Sequence, residues 1–193
     1  MQNDRTIDSY EPGEITRLLH EVRDGNRAAL EEVMVLIYDE LRVIARKQLD
    51  REYRVSTLDP TALVHEVYLR IVRCGRIHAD HRAHLLRIAA RAMRQVLVDH
   101  ARRRQATKRE HGGRRVMFID AASRDGVDVN DLLAIDAALE QLATRQRQIV
   151  ECRFFGGMTD VEIAAALGVT DRTVRREWTK ARAWLNRALY GPD

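Results

Sequence analysis

The stretch TDVEIAAALGVTDRTVRREWTKARAWL, from Thr159 to Leu185, has the pattern of two helices joined by a tight turn. Thr159 is predicted to cap the first helix, and Glu162 completes a capping box with it. Gly168 is predicted to end that helix, because glycine accepts the positive φ that a helix terminus often requires. Thr170 is predicted to cap the second helix through its hydroxyl.

The second helix of this stretch is predicted to be amphipathic, with a basic outer face. Val174, Trp178 and Ala181 repeat at helical spacing, which predicts a side turned toward a core. The opposite side carries Arg172, Arg175, Arg176, Thr179 and Lys180. A short helix, a glycine turn and a basic helix form the helix-turn-helix pattern, whose second helix enters the DNA major groove. The alternative interpretation is an ordinary helical hairpin with a solvated charged face.

The composition favours an all-α protein with aliphatic cores. Of the 193 residues, 45% are hydrophobic but only 5% are aromatic, and there are three prolines. No apolar run approaches the ~20 residues that a membrane-spanning helix needs. Cys74 and Cys152 stand alone on apolar stretches, which favours packing in a reducing cytoplasm over a disulfide framework.

The distribution of charge is more informative than the net charge of +4. Arginines and lysines crowd between Arg82 and Arg115, and a second basic cluster lies between Arg172 and Arg187. Acidic residues gather in the N-terminal helices and around residues 120–140. Two separate basic faces indicate a polyanion contacted at two places.

Apolar spacing predicts two helical domains, residues 14–109 and 131–190, joined by a flexible linker at 110–130. The linker is indicated by two glycine sites and mixed charge, with one short apolar run, VMFI. Asp59-Pro60 predicts a helix start, with aspartate as the cap and proline at the first helical position.

A long helix is predicted from about Arg82 to Lys108. If Leu85, Ile88, Ala89, Ala92 and Val96 form its buried side, Arg87, Arg91 and Arg94 point the opposite way as a stripe.

The order of these features resembles the extracytoplasmic-function sigma factors, the small two-domain branch of the bacterial sigma-70 family. The resemblance covers Glu14 to Leu189 and depends on two motifs. RQRQIVECRFFGGMTDVEIAAALGVTDRTVRREWTKARAWL is similar to the family's promoter-reading domain, and DPTALVHEVYLRIV is similar to the helix that grips the polymerase clamp. The resemblance implies a non-catalytic specificity subunit whose partners are core RNA polymerase and promoter DNA. It implies no cofactor and no bound metal.

The resemblance also implies roles for particular residues. The clamp-binding surface would comprise Leu63, Val64, Glu66, Val67 and Arg70, with some apolar members also serving the core. The readers of the melted minus-ten element would include Arg87, Arg91, Arg94, Arg102 and Arg103. The readers of the minus-thirty-five element would be Thr170, Asp171, Arg172, Thr173, Arg175, Arg176, Thr179 and Lys180.

One departure from the family pattern concerns the clamp helix. Where the family usually has another carboxylate, this chain has Ala62, and Thr61 lies beside it in the first helical turn. A phosphate on Thr61 would bring about −1.5 to −2 charges to a favourable helix N-terminus. One hypothesis is that a serine/threonine kinase switches the factor on at Thr61. The alternative is that Thr61 is an ordinary early-helix residue and Ala62 a tolerated change. Control by an anti-sigma factor is the other open possibility.

Two rival functions fit parts of the sequence. An enzyme would have to use His78, Asp80, His81 and His84 as metal ligands, but the sequence offers no second ligand cluster and no evident general base. A stand-alone helix-turn-helix regulator of operator DNA would explain the C-terminus. It would leave the arginine stripe and DPTALVHEVYLRIV without a role.

Overall fold

The computed structural model of the chain describes residues 13–52, 58–73, 77–110 and 129–191, and these are built from helices. The helices in chain order are α1 (Glu14–Arg23), α2 (Arg27–Glu52), α3 (Pro60–Arg73), α4 (Arg82–Glu110), α5 (Val129–Gln141), α6 (Thr144–Phe154), α7 (Asp160–Leu167) and α8 (Asp171–Tyr190). The all-α prediction is confirmed. Most of the predicted linker, residues 111–128, lies outside the described residues.

Helices α1 to α4 form an N-terminal layer around an aliphatic core. Leu19, Leu63 and Leu85 are at most 1% exposed at its centre. Asp59 caps α3, because its carboxylate accepts a hydrogen bond from the Ala62 N–H at 2.9 Å, and α3 begins at Pro60 as predicted.

Helices α5 to α8 form a second group around buried apolar residues. Phe155, Ile163 and Val174 are at most 1% exposed there. The turn between α6 and α7 contains Gly157, which has φ of +60°.

The long helix α4 lies between the two groups. It packs against α3 on one side and against α5, α6 and α7 on the other. Buried residues of both groups belong to one continuous hydrophobic cluster. The division into 14–109 and 131–190 stays a prediction, and the structure adds a contact between the two parts.

Candidate nucleic-acid interface

The turn between α7 and α8 is held by local hydrogen bonds. The Thr159 hydroxyl accepts from the Glu162 N–H at 3.3 Å, and the Glu162 carboxylate accepts from the Thr159 N–H at 2.9 Å. Gly168 ends α7 with φ of +62°, and the Thr170 hydroxyl accepts from the Thr173 N–H at 3.2 Å to cap α8. These bonds satisfy N–H groups that helix starts leave free. The predicted capping box, glycine stop and second cap are all present.

The inner side of α8 is anchored in the core. Val174 and Ala181 are fully buried, and Trp178 is half-buried. The Arg153 guanidinium lies 4.7 Å from the centre of the Trp178 ring, a distance at which a cation is attracted to an aromatic face. Because these contacts fix the rotation of α8, its opposite side is turned to solvent.

The outer side of α8 presents most of the residues predicted to read DNA. Exposed members are Thr170, Arg172, Arg175, Arg176, Thr179 and Lys180, and half-buried members are Asp171 and Thr173. Thr170 is used as the cap, and the Thr179 hydroxyl donates to the Arg175 carbonyl at 2.9 Å. Both hydroxyls are engaged in hydrogen bonds within α8. The arginine and lysine side chains are therefore the main groups on this side that could contact a polyanion.

Several cations on α8 are paired with neighbouring carboxylates in the free protein. Arg175 bonds Asp171, while Arg176 and Lys180 share Glu177 at 3.2 and 3.3 Å. The hydrogen bond from Gln146 and the contacts with Lys180 and Arg176 outweigh slight burial and lower the pKa of Glu177. The arginine and lysine side chains of these pairs are about 60% exposed, so the pairs contribute little stability.

The arginines of α4 do not form the single exposed stripe that the sequence predicts. Arg91, Arg102 and Arg103 are exposed, whereas Arg87 is half-buried. Arg94 is buried at 6% exposure, so the prediction that it points outward is wrong. The prediction treated α4 as a helix with one buried side. In the structure α5 and α6 also cover the side of α4 that carries Arg94.

Arg94 lies in a cluster with three carboxylates, which we call the Arg94 cluster: Arg94, Asp136, Glu140 and Glu151. Arg94 Nη1 lies 2.5 Å from Glu151 Oε1, and Nη2 lies 2.7 Å from Asp136 Oδ1 and 2.8 Å from Glu140 Oε1. Burial opposes the charge of Arg94, but the hydrogen bonds to the three carboxylates outweigh it and raise its pKa. The cluster joins α4 to α5 and α6.

A second ion group joins α4 to α2 and α7. Arg82 Nη2 lies 2.6 Å from Glu40 Oε1, and its Nη1 lies 3.2 Å from Glu162 Oε1. Burial raises the pKa of the Glu40 carboxyl, and Arg82 only partly offsets it. For Glu162 burial acts in the same direction, but hydrogen bonds with Thr159 and Arg82 prevail and lower its pKa.

The residues predicted for the clamp surface of α3 differ in exposure, and its apolar members serve the core. Leu63, Val64 and Val67 are at most 2% exposed, so they belong to the core and cannot present a docking surface in this arrangement. Glu66 is exposed, and Arg70 is bonded to Asp99 of α4 at 2.6 Å. The five residues predicted for the clamp surface all lie on α3. Three of them face α2 and α4 rather than solvent, because α3 packs between those helices.

Thr61 lies on the solvent side of α3. It is exposed in the first turn, two residues after the capping carboxylate of Asp59. Its neighbour Ala62 is half-buried.

The remaining polar residues that the structure describes do not gather into a metal site. Among the residues described, no three His, Cys, Asp or Glu side chains are placed to hold a metal ion. His84 Nδ1 lies 3.8 Å from Asp80 Oδ2, and burial and Arg87 lower the pKa of this histidine. Burial raises the pKa of the Cys152 thiol to about 12, so it stays protonated. Within the described ranges, no helix has the length and apolar character to cross a membrane.

The acidic half of the Arg94 cluster was not predicted from the sequence. The signal available was Glu151, a charged residue within the apolar run that includes Ile149, Val150 and Cys152. A charge on the buried side of a helix predicts a charged partner, because an unpaired ion is costly to bury.

The helices that the structure describes thus include a capped helix-turn-helix with an exposed basic face. A model of the ECF sigma factor family matches residues 12–191, and the chain belongs to that family. No curated protein matches the chain.

The solved structures that are similar to this chain include two sigma factor complexes. The structure of CnrH in complex with the cytosolic domain of CnrY has 21% identity and a TM-score of 0.42, covering 93% of this chain and 99% of that one. The structure of the sigma factor RpoE in complex with the anti-sigma factor NepR, from Bartonella quintana, has 18% identity and a TM-score of 0.35. It covers 82% of this chain and 95% of that one.

Proposed function

We propose that this ECF sigma factor binds core RNA polymerase and directs initiation at promoters whose upstream element is read by α8. The observation that carries the proposal is the exposed basic side of α8, held outward by the buried Val174 and Ala181 and by the Thr170 cap. Arginine suits guanine O6 and N7 in the major groove, while lysine more often bonds phosphate.

We propose that α4 provides a second surface that binds DNA. Its exposed Arg91, Arg102 and Arg103 would neutralise phosphates of the melted minus-ten strand. Arg94 would join them only where the Arg94 cluster is broken.

The clamp contact is proposed for the solvent side of α3. Of the five residues predicted for the clamp surface, Glu66 is the exposed one. Thr61 and His65 are also exposed on this side of α3. The buried Leu63, Val64 and Val67 would support this surface from beneath.

Reconstitution tests the function directly. The purified chain is mixed with core RNA polymerase and a promoter library, and run-off transcripts are sequenced. We expect transcripts that start at a common motif and require the chain. Binding to DNA without any binding to polymerase would instead favour the stand-alone regulator.

We further propose that phosphorylation of Thr61 strengthens clamp binding. The hydroxyl is on an exposed residue in the first turn of α3, where a phosphate would replace the negative charge missing at Ala62. Affinity for core polymerase is compared between the unmodified chain, Thr61→Glu and Thr61→Ala. We expect tighter binding only for Thr61→Glu, and equal affinity of all three would exclude the switch.

A further inference from the structure

Helix α2 has an outer side, which we define as its exposed residues from Glu31 to Lys47. The opposite side of α2 is built into the N-terminal core, since Val33, Ile37 and Leu41 are at most 1% exposed. The charges of the outer side are separated along the helix. The acidic set comes first and the basic set follows, and they are Glu31, Glu32 and Asp39, and then Arg42, Arg46 and Lys47. The outer side is therefore negative at one end and positive at the other.

The single chain gains little from this separation of charge. Among the residues that the structure describes, none of these charged side chains has a hydrogen bond or an ion pair. Arg42 and Arg46 are like charges four residues apart, a spacing that slightly destabilises a helix. The helix dipole rewards charge only in the first and last turns, whereas Asp39 and Arg42 lie in the middle of α2. Effects within one helix therefore do not account for the pattern.

Two exposed valines lie among these charges. Val35 is 72% exposed and Val43 is 50% exposed. Asp39 lies midway between them, four residues after Val35 and four residues before Val43. Single exposed apolar residues are common, but these two share one side of the helix and are about two turns apart. One partner helix that lies along α2 at Asp39 would cover both.

The outer side is complementary to its own reversed copy. In a contact with two-fold symmetry, residue i of one copy lies opposite residue j of the other, and j lies opposite i. If the axis passes through Asp39 and the two α2 helices are antiparallel, Val35 of one copy lies opposite Val43 of the other. The same axis brings opposite charges together at both ends, in the pairs Glu32–Arg46 and Glu31–Lys47.

The residue on the axis needs a separate account. Asp39 would face Asp39 of the second copy, which by itself is repulsive. Arg42 follows Asp39 by less than one turn on the same exposed side. Its long side chain can therefore reach Asp39 of the second copy, and an arginine binds a carboxylate with two parallel donors.

From these observations we propose that this chain pairs with a second copy of itself through the outer side of α2, as an antiparallel dimer with its two-fold axis at Asp39. The proposal is independent of the proposed function, because the outer side of α2 shares no residue with the surfaces on α3, α4 and α8. The contact runs along only about 25 Å of one helix, which is small for a specific interface. Dimers are therefore expected at high protein concentration and low salt, where exposed ion pairs are least screened.

Sedimentation velocity of the full chain over a range of concentrations tests the association. The average mass should rise from 22.3 kDa toward twice that value. Glu32→Arg and Arg46→Glu each turn two attractions of the dimer into two repulsions, so each should weaken self-association by about tenfold or more. Arg145→Glu makes the same change of charge at an exposed position of α6 and should leave the association unchanged. A chain that stays monomeric at every concentration would overturn the proposal.

An equimolar mixture of Glu32→Arg and Arg46→Glu tests the antiparallel pairing itself. In a mixed dimer the two introduced charges face each other, and the unaltered Arg46 of one chain faces the unaltered Glu32 of the other. The mixture should therefore associate about as tightly as the unaltered chain, although each variant alone does not. A mixture that remains monomeric, or variants that dimerise normally on their own, would overturn the pairing.

Crosslinking locates the axis. A residue on a two-fold axis meets its own copy, so Asp39→Cys in a Cys74→Ser background should give a covalent dimer when oxidised with copper phenanthroline. Asp50→Cys is the control at another exposed position of α2. It lies about 16 Å from Asp39 along the helix, so its two copies are far beyond the ~7 Å between Cα atoms that a disulfide allows. Cys152 is buried. Equal crosslinking at both positions, or none at Asp39→Cys, would overturn the proposed axis.

Discussion

Arg94 on α4 and Glu151 on α6 form an ion pair of 2.5 Å, and both side chains are only 7% exposed. The two residues are 57 positions apart in the sequence, so the pair exists only because α4 and α6 pack together. A buried pair of this kind contributes little net stability as a unit, but losing one member leaves a bare charge in the core.

Replacing Arg94 alone should therefore be strongly destabilising. We expect Arg94→Met to lower the free energy of unfolding by about 3–5 kcal/mol, because the buried Glu151 loses its partner and Asp136 keeps only the exposed Arg102. The double variant Arg94→Met/Glu151→Met should lose less than the sum of the two single losses. Urea denaturation measures all three. The exposed neighbour variant Arg91→Met should change stability by no more than ~0.5 kcal/mol, and strict additivity would contradict the pair.

Gly168 offers a test of the turn before α8. Its φ is +62°, and a Cβ there would meet nothing within 4 Å, so any cost of a side chain is backbone strain alone. We expect Gly168→Ala to lower the free energy of unfolding by about 1–2 kcal/mol. Gly168→Asn should cost less, because asparagine tolerates the left-handed region better. Thermal or urea unfolding decides, and equal costs for the two variants would count against strain as the cause.

The pKa of Glu140 predicts a specific acid sensitivity. The hydrogen bond from Arg94 lowers this pKa against a small opposing effect of burial, and Arg147 adds to the lowering. A lowered folded-state pKa contributes stability that is present above the ordinary carboxyl pKa and is lost as the pH falls through the lowered value. We expect Glu140→Gln to reduce the loss of stability between about pH 5 and pH 3, measured by urea unfolding at each pH.

Glu40 provides the control of opposite sign. Burial raises its pKa, so protonation favours the folded state and stability from this group increases as the pH falls. Glu40→Gln should therefore make the acid loss of stability steeper. If both variants changed the slope in the same direction, the proposed electrostatic origins would be wrong.

On α8, Arg176 is expected to be a base reader and Lys180 a phosphate contact. Arg176→Ala should weaken promoter binding by the polymerase complex by ~1–3 kcal/mol and relax preference at one position of the upstream element. Lys180→Ala should weaken all sequences alike and reduce the salt slope by about 1. Binding to a set of substituted promoters at several salt concentrations separates the two. A uniform loss for Arg176→Ala would reassign it to the backbone.

The sequence by itself determined the local structure around the helix-turn-helix and the family resemblance. Capping by Thr159 and Thr170, the stop at Gly168 and the start at Pro60 depend on hydrogen bonds and φ values within a few residues, so the sequence predicts them. Only the tertiary structure decided that Arg94 is buried and that Leu63, Val64 and Val67 leave the surface. Helical periodicity identifies which residues share a side of a helix. It does not say how many sides other helices will cover, and α4 is covered on more than one.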